Sequence, residues 1–304
     1  MRNERIIYVF LLSAVLLVAG GFFLPKPQDD KLIQDRFWVK KTHGNNDFDI
    51  IIMGDSRAYR GISPEAMQKH LPDCKILNFG YSSGRINKFM CSEAEKRIAL
   101  GRKKTVILAI SPNTLIPPPV ENAHYLEQYL LPKEEIYQRL YFAPLLHFFS
   151  SVKPSEIFSG KSRKDNNYIQ KYYDNGFVAS HKLKEDTTEA LKTYEKWFKE
   201  AAVSRKMIKD LLEQTEDWTK RGITVIAFRI PSSYSMEKLE DSLAGFNELE
   251  LKDLFLKAGG IWLDFPKNQY HSYDGSHLHF QSAERLSEEL GLSIKNLLEN
   301  SSIN

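Results

Sequence analysis

Nineteen consecutive residues without a charge, Ile6 to Leu24 (IIYVFLLSAVLLVAGGFFL), constrain this chain more than any other feature. No polar face interrupts the run, so a helix there has no side suited to water. At 1.5 Å per residue it spans about 28 Å, close to the ~30 Å hydrocarbon core of a bilayer. Arg2 and Arg5 precede it, and Lys26 with the Asp29–Asp30 pair follows. Positive charge on the short side keeps that end cytoplasmic. The expectation is a single-pass protein of the cell membrane, its remaining chain facing the periplasm or the outside. The rival reading is a cleaved signal peptide, for which Ala19-Gly20-Gly21 offers small residues. Phe22-Phe23-Leu24, however, extends the apolar run beyond an ordinary signal core.

The rest of the 304 residues, at 42% hydrophobic and 12% aromatic overall, is ample for one globular domain with a real core. That aromatic content also excludes an acidic disordered chain. A balance of 42 Lys+Arg against 39 Asp+Glu leaves +3, too little for the basic stripe of a nucleic-acid partner. Cys74 and Cys91 are too few for a disulfide scaffold or a Cys-rich zinc site. An oxidising compartment makes a Cys74–Cys91 bridge conceivable, while two buried thiols are the expected state. No repeat of solenoid or propeller length is visible.

Residues 1–30 read as the anchor, 31–46 as a polar stalk with a short amphipathic piece at Phe37-Trp38, and 47–300 as the domain. Within it, Asp47–Met53, Cys74–Phe79, Thr105–Ile110, Thr224–Ile230 and Gly260–Phe265 are short apolar or β-branched runs. Helical stretches separate them, among them Ile86–Leu100 and one starting near Gln281. Such alternation predicts an α/β fold, a flavodoxin-like three-layer sandwich around a parallel sheet of about five strands. Ligands of such sheets bind beyond the strands' carboxyl ends. The stretch from about 117 to 180 breaks the rhythm. It opens with Pro117-Pro118-Pro119, is rich in Tyr and Phe, and holds a basic-polar segment, Lys161 to Asn167. It reads as an insertion able to form a lid or a docking face. After it a single long helix is expected over Glu185–Lys220, with Trp197, Phe198 and Trp218 as core packing.

Four short segments fall where strand ends converge. Gly54-Asp55-Ser56 follows the first strand, placing Ser56 at the start of a helix, where a serine can act as a nucleophile with an oxyanion forming beside it. An Asp-Ser helix cap would look the same. Tyr273-Asp274-Gly275-Ser276-His277 puts an Asp three residues ahead of a His, so Asp274 can hold one imidazole nitrogen while the other takes a serine proton. Gly80 and Gly84 follow the second strand and offer backbone N–H donors. Asn113 follows the third and offers a side-chain amide. His271 and His279 lack an Asp at the DxxH spacing and read as surface or packing residues. No acidic cluster supports a metal site with His277, so no metal is expected, nor any cofactor.

This order and content resemble the SGNH (GDSL-like) hydrolase superfamily, from roughly Asp47 to Leu297. The resemblance implies Ser56 as nucleophile in the first block and Asp274 with His277 as the DxxH block. It further implies an oxyanion hole from the Ser56 N–H, the N–H of Gly80 or Gly84, and the Asn113 amide. The family's third block is GxND. Here it is Ser111-Pro112-Asn113-Thr114, keeping the Asn without the Gly or Asp. An α/β-hydrolase elbow, GxSxG, is excluded because Ala58 stands two after Ser56. A membrane-tethered, outward-facing member resembles proteins that place or remove acyl groups on surface glycans, often beside a multispanning membrane acyltransferase. The expected function is therefore serine-dependent acyl transfer or ester hydrolysis on an extracytoplasmic glycan or other acylated substrate. Arg57 and Arg60, flanking the serine, are candidates for binding an anionic part of that substrate. The alternative is a non-catalytic assembly or binding protein of the same fold, favoured by the altered third block and the aromatic insertion.

Overall fold

Five of the apolar runs pair in parallel. In the computed structural model, which describes residues 2–27, 29–44, 47–99, 104–117, 122–152 and 167–300, these are β1 (Ile50–Met53), β2 (Ile76–Asn78), β3 (Thr105–Ile110), β6 (Thr224–Arg229) and β7 (Ile261–Trp262). Their order is β2-β1-β3-β6-β7. β1 runs in register with both neighbours, Ile51 against Leu77 on one side and Val106 on the other. This is the flavodoxin-like order, with its switch point between β1 and β3. Chains leaving those two strands turn to opposite faces and open a crevice at their carboxyl ends.

Side chains alternate across the sheet and feed two cores. Ile50, Ile52, Ile107, Ala109, Ile226 and Phe228 face one layer; Ile51, Met53, Val106, Leu108, Val225 and Ala227 face the other. The first layer holds α3 (Ser56–Gly61), α4 (Pro64–Gln68) and α13 (Phe280–Asn300), whose Leu286, Leu290 and Ile294 are fully buried. The second holds α5 (Lys88–Glu95), α10 (Arg205–Lys220) and α12 (Glu248–Lys257). The result is the expected three-layer α/β sandwich. Cys91 is buried, which pushes its thiol up to about 12, and it is not bridged to the half-buried Cys74.

Two expectations are corrected. The supposed stalk is helical: Asp29 caps the N-terminus of α2 (Asp30–His43), and Phe37, Trp38, Val39, Lys41 and Thr42 are buried. Lys41 places its ammonium among the Phe37, Trp38, Tyr59 and Tyr81 rings and donates to the Gly176 carbonyl at 2.9 Å. Burial holds its pKa well below the ordinary lysine value. The expected helix over 185–220 is two, α9 (Glu189–Glu200) and α10. Ser204 restarts the chain by capping the Met207 N–H, and the Val203 N–H bonds the Ala244 carbonyl between them.

The expected insertion contains α6 (Ala123–Tyr129), α7 (Lys133–Tyr137), a π turn at Gln138–Phe142, α8 (Ala143–Phe149) and an antiparallel hairpin of β4 (Tyr168–Tyr172) and β5 (Val178–Lys182). Residues 118–121, with two of the three expected prolines, and the basic stretch 161–166 lie outside the described residues. At the N-terminus, α1 (Arg2–Phe23) has 22 residues, and its Arg5–Phe23 window is long and apolar enough to cross a membrane or to serve as a signal sequence.

Candidate active site

Each candidate residue sits on a tight connection out of the sheet. β1 ends at Met53, and Gly54 turns the chain where a Cβ would stand 2.6 Å from the Ala58 Cβ and 2.8 Å from the Ala109 carbonyl oxygen. Only glycine fits so close an approach. Asp55 caps α3: its Oδ1 accepts from the Arg57 N–H at 2.9 Å, and its Oδ2 accepts from the Ser111 hydroxyl at 2.6 Å and the Asn113 amide at 3.3 Å. The cap thereby ties the β1 turn to the β3 turn across the switch point. Ser56 is the first residue of α3, so its N–H has no partner within the helix.

The loop before α13 brings in the other two groups. Asp274 Oδ1 accepts from the backbone N–H groups of Ser276 at 2.9 Å and His277 at 2.7 Å, and Oδ2 lies 2.8 Å from His277 Nδ1. His277 Nε2 lies 2.9 Å from the Ser56 Oγ. Residues more than two hundred positions apart thus join in one hydrogen-bonded series. Burial alone would raise the Asp274 carboxyl, but the His277 ring and the two amides outweigh it and hold it at about 2. Asp274 is therefore ionised, Nδ1 carries the hydrogen, and Nε2 presents a lone pair to the serine. Burial and the nearby Arg60 charge keep the His277 pKa below the ordinary histidine value, against the opposing pull of Asp274. A neutral, correctly oriented imidazole beside a serine hydroxyl can accept its proton.

The two arginines divide. Arg57 turns inward: it is buried, its Nε donates to the Ser276 hydroxyl at 3.0 Å, and its Nη2 lies 2.6 Å from Glu240 of α11 (Tyr234–Leu243), itself fully buried. It braces the Asp274–His277 loop from beneath and has no surface to offer a ligand. Arg60, one turn on, reaches the site, with Nη1 3.0 Å from His277 Nε2 and its guanidinium between the Tyr59 and Tyr168 rings.

Gly80 and Gly84 lie against the serine turn, but both N–H groups already have acceptors, Asn78 Oδ1 at 3.1 Å and the Tyr81 carbonyl at 2.9 Å. A Cβ on Gly84 would stand 2.6 Å from the Gly54 carbonyl oxygen, so this glycine serves close packing. Asn78 also donates to the Ala58 and Ile62 carbonyls, fixing the end of α3.

A cleft of about 1000 Å³ adjoins the series, walled by Gln34, Trp38, Arg60, Asn113, His124 and Trp197 among others. Ser56 and His277 are not part of its wall; Arg60 and Asn113, bonded to His277 and Asp55, stand between. Trp197, expected in the core, is 42% exposed on this cleft, whereas Phe198 and Trp218 are buried as expected. The sequence places Trp38 in a short amphipathic piece of the expected stalk but brings neither it nor Gln34 to the site, although an Asp29 cap followed by helically spaced Ile33, Phe37 and Trp38 carries a helix signal. Nothing in the sequence marked Glu240 or Tyr194, which accepts from the Ser276 hydroxyl at 3.0 Å. His271 Nε2 pairs with Glu185 at 2.6 Å.

No family model matches the chain, and no curated protein matches it. Among solved structures, one from Streptococcus pneumonia, provisionally described as a platelet activating factor, is similar at 11% identity and a TM-score of 0.39, over 85% of this chain and 92% of that one. Likeness so distant bears on neither activity nor substrate.

Proposed function

We propose that this protein is an SGNH-type serine esterase or O-acyltransferase, with Ser56 as nucleophile, His277 as general base and Asp274 as its orienting carboxylate. The observation that carries the reading is the hydrogen-bonded series from Ser56 Oγ through His277 to Asp274. His277 Nε2 takes the serine proton as Oγ bonds to an ester carbonyl carbon. The oxyanion so formed is met by the Ser56 N–H and the Asn113 amide hydrogen not used on Asp55. The tetrahedral adduct collapses as His277 returns the proton to the leaving oxygen, leaving an acyl-serine. A second hydroxyl, from water or from an acceptor alcohol, then gives its proton to His277 and attacks the acyl carbon; as this adduct collapses, the bond to Ser56 Oγ breaks and His277 returns the proton to Oγ.

The apolar α1 supports anchoring in a membrane, Arg2 and Arg5 ahead of its apolar run favour a domain outside the cytoplasm, and a surface glycan is the proposed acyl acceptor or ester. The cleft's tryptophans and its cationic and amide groups suit a polyhydroxyl ligand, since sugars present both an apolar face and hydroxyls. Incubating the purified chain with an acetyl-ester donor and a surface polysaccharide tests this: acetylated polysaccharide indicates transfer, and free acetate alone indicates an esterase. A folded chain that produces neither supports a non-catalytic binding protein.

A further inference from the structure

The helical run from Lys133 through the π turn to Phe149 presents most of its large apolar side chains to solvent, which a soluble surface helix does not. Arg139 and His147 turn toward the protein, Arg139 lying 3.7 Å from Asp35 of α2 and His147 Nε2 2.9 Å from the Pro27 carbonyl oxygen, while Lys133, Glu134 and Gln138 are exposed. Tyr137, Tyr141, Phe142, Leu145, Leu146 and Phe149 are between 48% and 71% exposed. Residues 137, 141, 145 and 149 recur every fourth position and form one continuous stripe. Pro144, which lacks an N–H, accompanies the π turn, where the Ala143 N–H reaches back to the Gln138 carbonyl.

The stripe's position relative to α1 indicates what covers it. Phe148 packs edge-on against Phe22 with ring centroids 5.1 Å apart. Lys26 donates to the carbonyls of Phe148 at 2.6 Å and Ser150 at 3.1 Å, and the Val152 N–H bonds the Pro25 carbonyl at 3.0 Å. The run is therefore fastened to α1 at the end where its apolar sequence stops. It adjoins a helix whose own apolar side chains are bare, Phe23 at 87% exposure. Tyr, Phe and Leu mixed at this level are the residues of a membrane–water interface.

We infer that Lys133–Phe149 lies in the headgroup layer of the bilayer that α1 crosses, a second and non-spanning membrane contact that holds the domain against the lipid. This rests on the anchored reading of α1. Because α2 packs on both this run and α6 and supplies Gln34 and Trp38 to the cleft, the contact sets the cleft at the membrane surface, within reach of substrates carried there.

The test is quenching by doxyl-labelled lipid, using the full chain at low protein-to-lipid ratio in phosphatidylcholine–phosphatidylglycerol vesicles. In a Cys74→Ser background, an environment-sensitive fluorophore is placed by Leu146→Cys on the stripe, Leu16→Cys within α1, or Leu256→Cys on α12. The expected result is blue-shifted, quenched emission from positions 146 and 16 and neither change at 256. Phe142→Cys repeats the stripe measurement should Leu146→Cys fold poorly. Quenching at 16 with none at 146 or 142 overturns the inference while leaving the anchor standing; blue-shifted but unquenched emission there assigns the stripe to a second copy and overturns it equally. Quenching at none of them removes the anchored reading and the inference with it. None of these outcomes depends on catalytic activity.

Discussion

Arg60 holds its Nη1 3.0 Å from the Nε2 of His277, the same nitrogen that faces the Ser56 hydroxyl. A fixed cation beside a general base disfavours the imidazolium that proton transfer creates. It also keeps the base unprotonated to lower pH. With His277 as the proposed base, activity is expected above a depressed pKa and is expected to be lost as pH falls through it. For Arg60→Gln the inflection of kcat/KM against pH on an acetyl ester is expected to move upward, toward the ordinary histidine value. An unmoved inflection would show that Arg60 does not act on His277.

Asp274→Asn is expected to fold and to lose kcat by about 10⁴-fold, the loss seen when the same exchange is made in a Ser-His-Asp triad. The amide oxygen can still accept the Ser276 and His277 N–H groups, so the thermal midpoint should change little. Opposite Nδ1, however, the anion is lost, and the ring can adopt the wrong tautomer. Steady-state kinetics with thermal unfolding separates the two effects.

Arg57 is a structural residue. Arg57→Ala removes one partner of a buried ion pair, a change that typically costs about 3–5 kcal/mol. Glu240 keeps a second partner in Arg229, whose Nη2 lies 2.9 Å away, so the lower end is expected. Arg57→Met combined with Glu240→Gln should lose less than the sum of the single changes, as read by denaturant unfolding. Additive losses would argue that the pair does not couple.

Gly54→Ala forces a Cβ against Ala58 and the Ala109 carbonyl. Overpacking of this kind costs roughly 1–3 kcal/mol. Because the displaced backbone carries Ser56, turnover should fall more than stability predicts. Comparing kcat with the unfolding midpoint checks this; a fully active Gly54→Ala would mean that the turn tolerates the shift.

The sheet was legible because parallel strands buried on both faces must be written as runs such as Thr105–Ile110, whose bounds match β3. The first run overreached to Asp47 because Phe48 continues the apolar pattern, yet it makes only an isolated bridge with Ile98. Ser56, Asp274 and His277 were legible because each lies on a short turn with a fixed local chemistry. The inward turn of Arg57 was not, since two arginines three apart on a six-residue helix look alike until Glu240, nearly two hundred residues away, takes one of them. The core role of α2 was hidden by Lys41, a charge whose burial depends on four rings, two of them, Tyr59 and Tyr81, from other segments.

Reaction with a fluorophosphonate bears most directly on the assignment of Ser56 as nucleophile, because the reagent adds covalently only to an activated hydroxyl. Intact-mass and peptide mapping should find one adduct on Ser56 in the wild type, none in Ser56→Ala, and labelling slowed on the order of 10³-fold or more in His277→Ala. A folded wild type that remains unmodified, or a Ser56→Ala chain labelled as fast as wild type, would contradict the assignment.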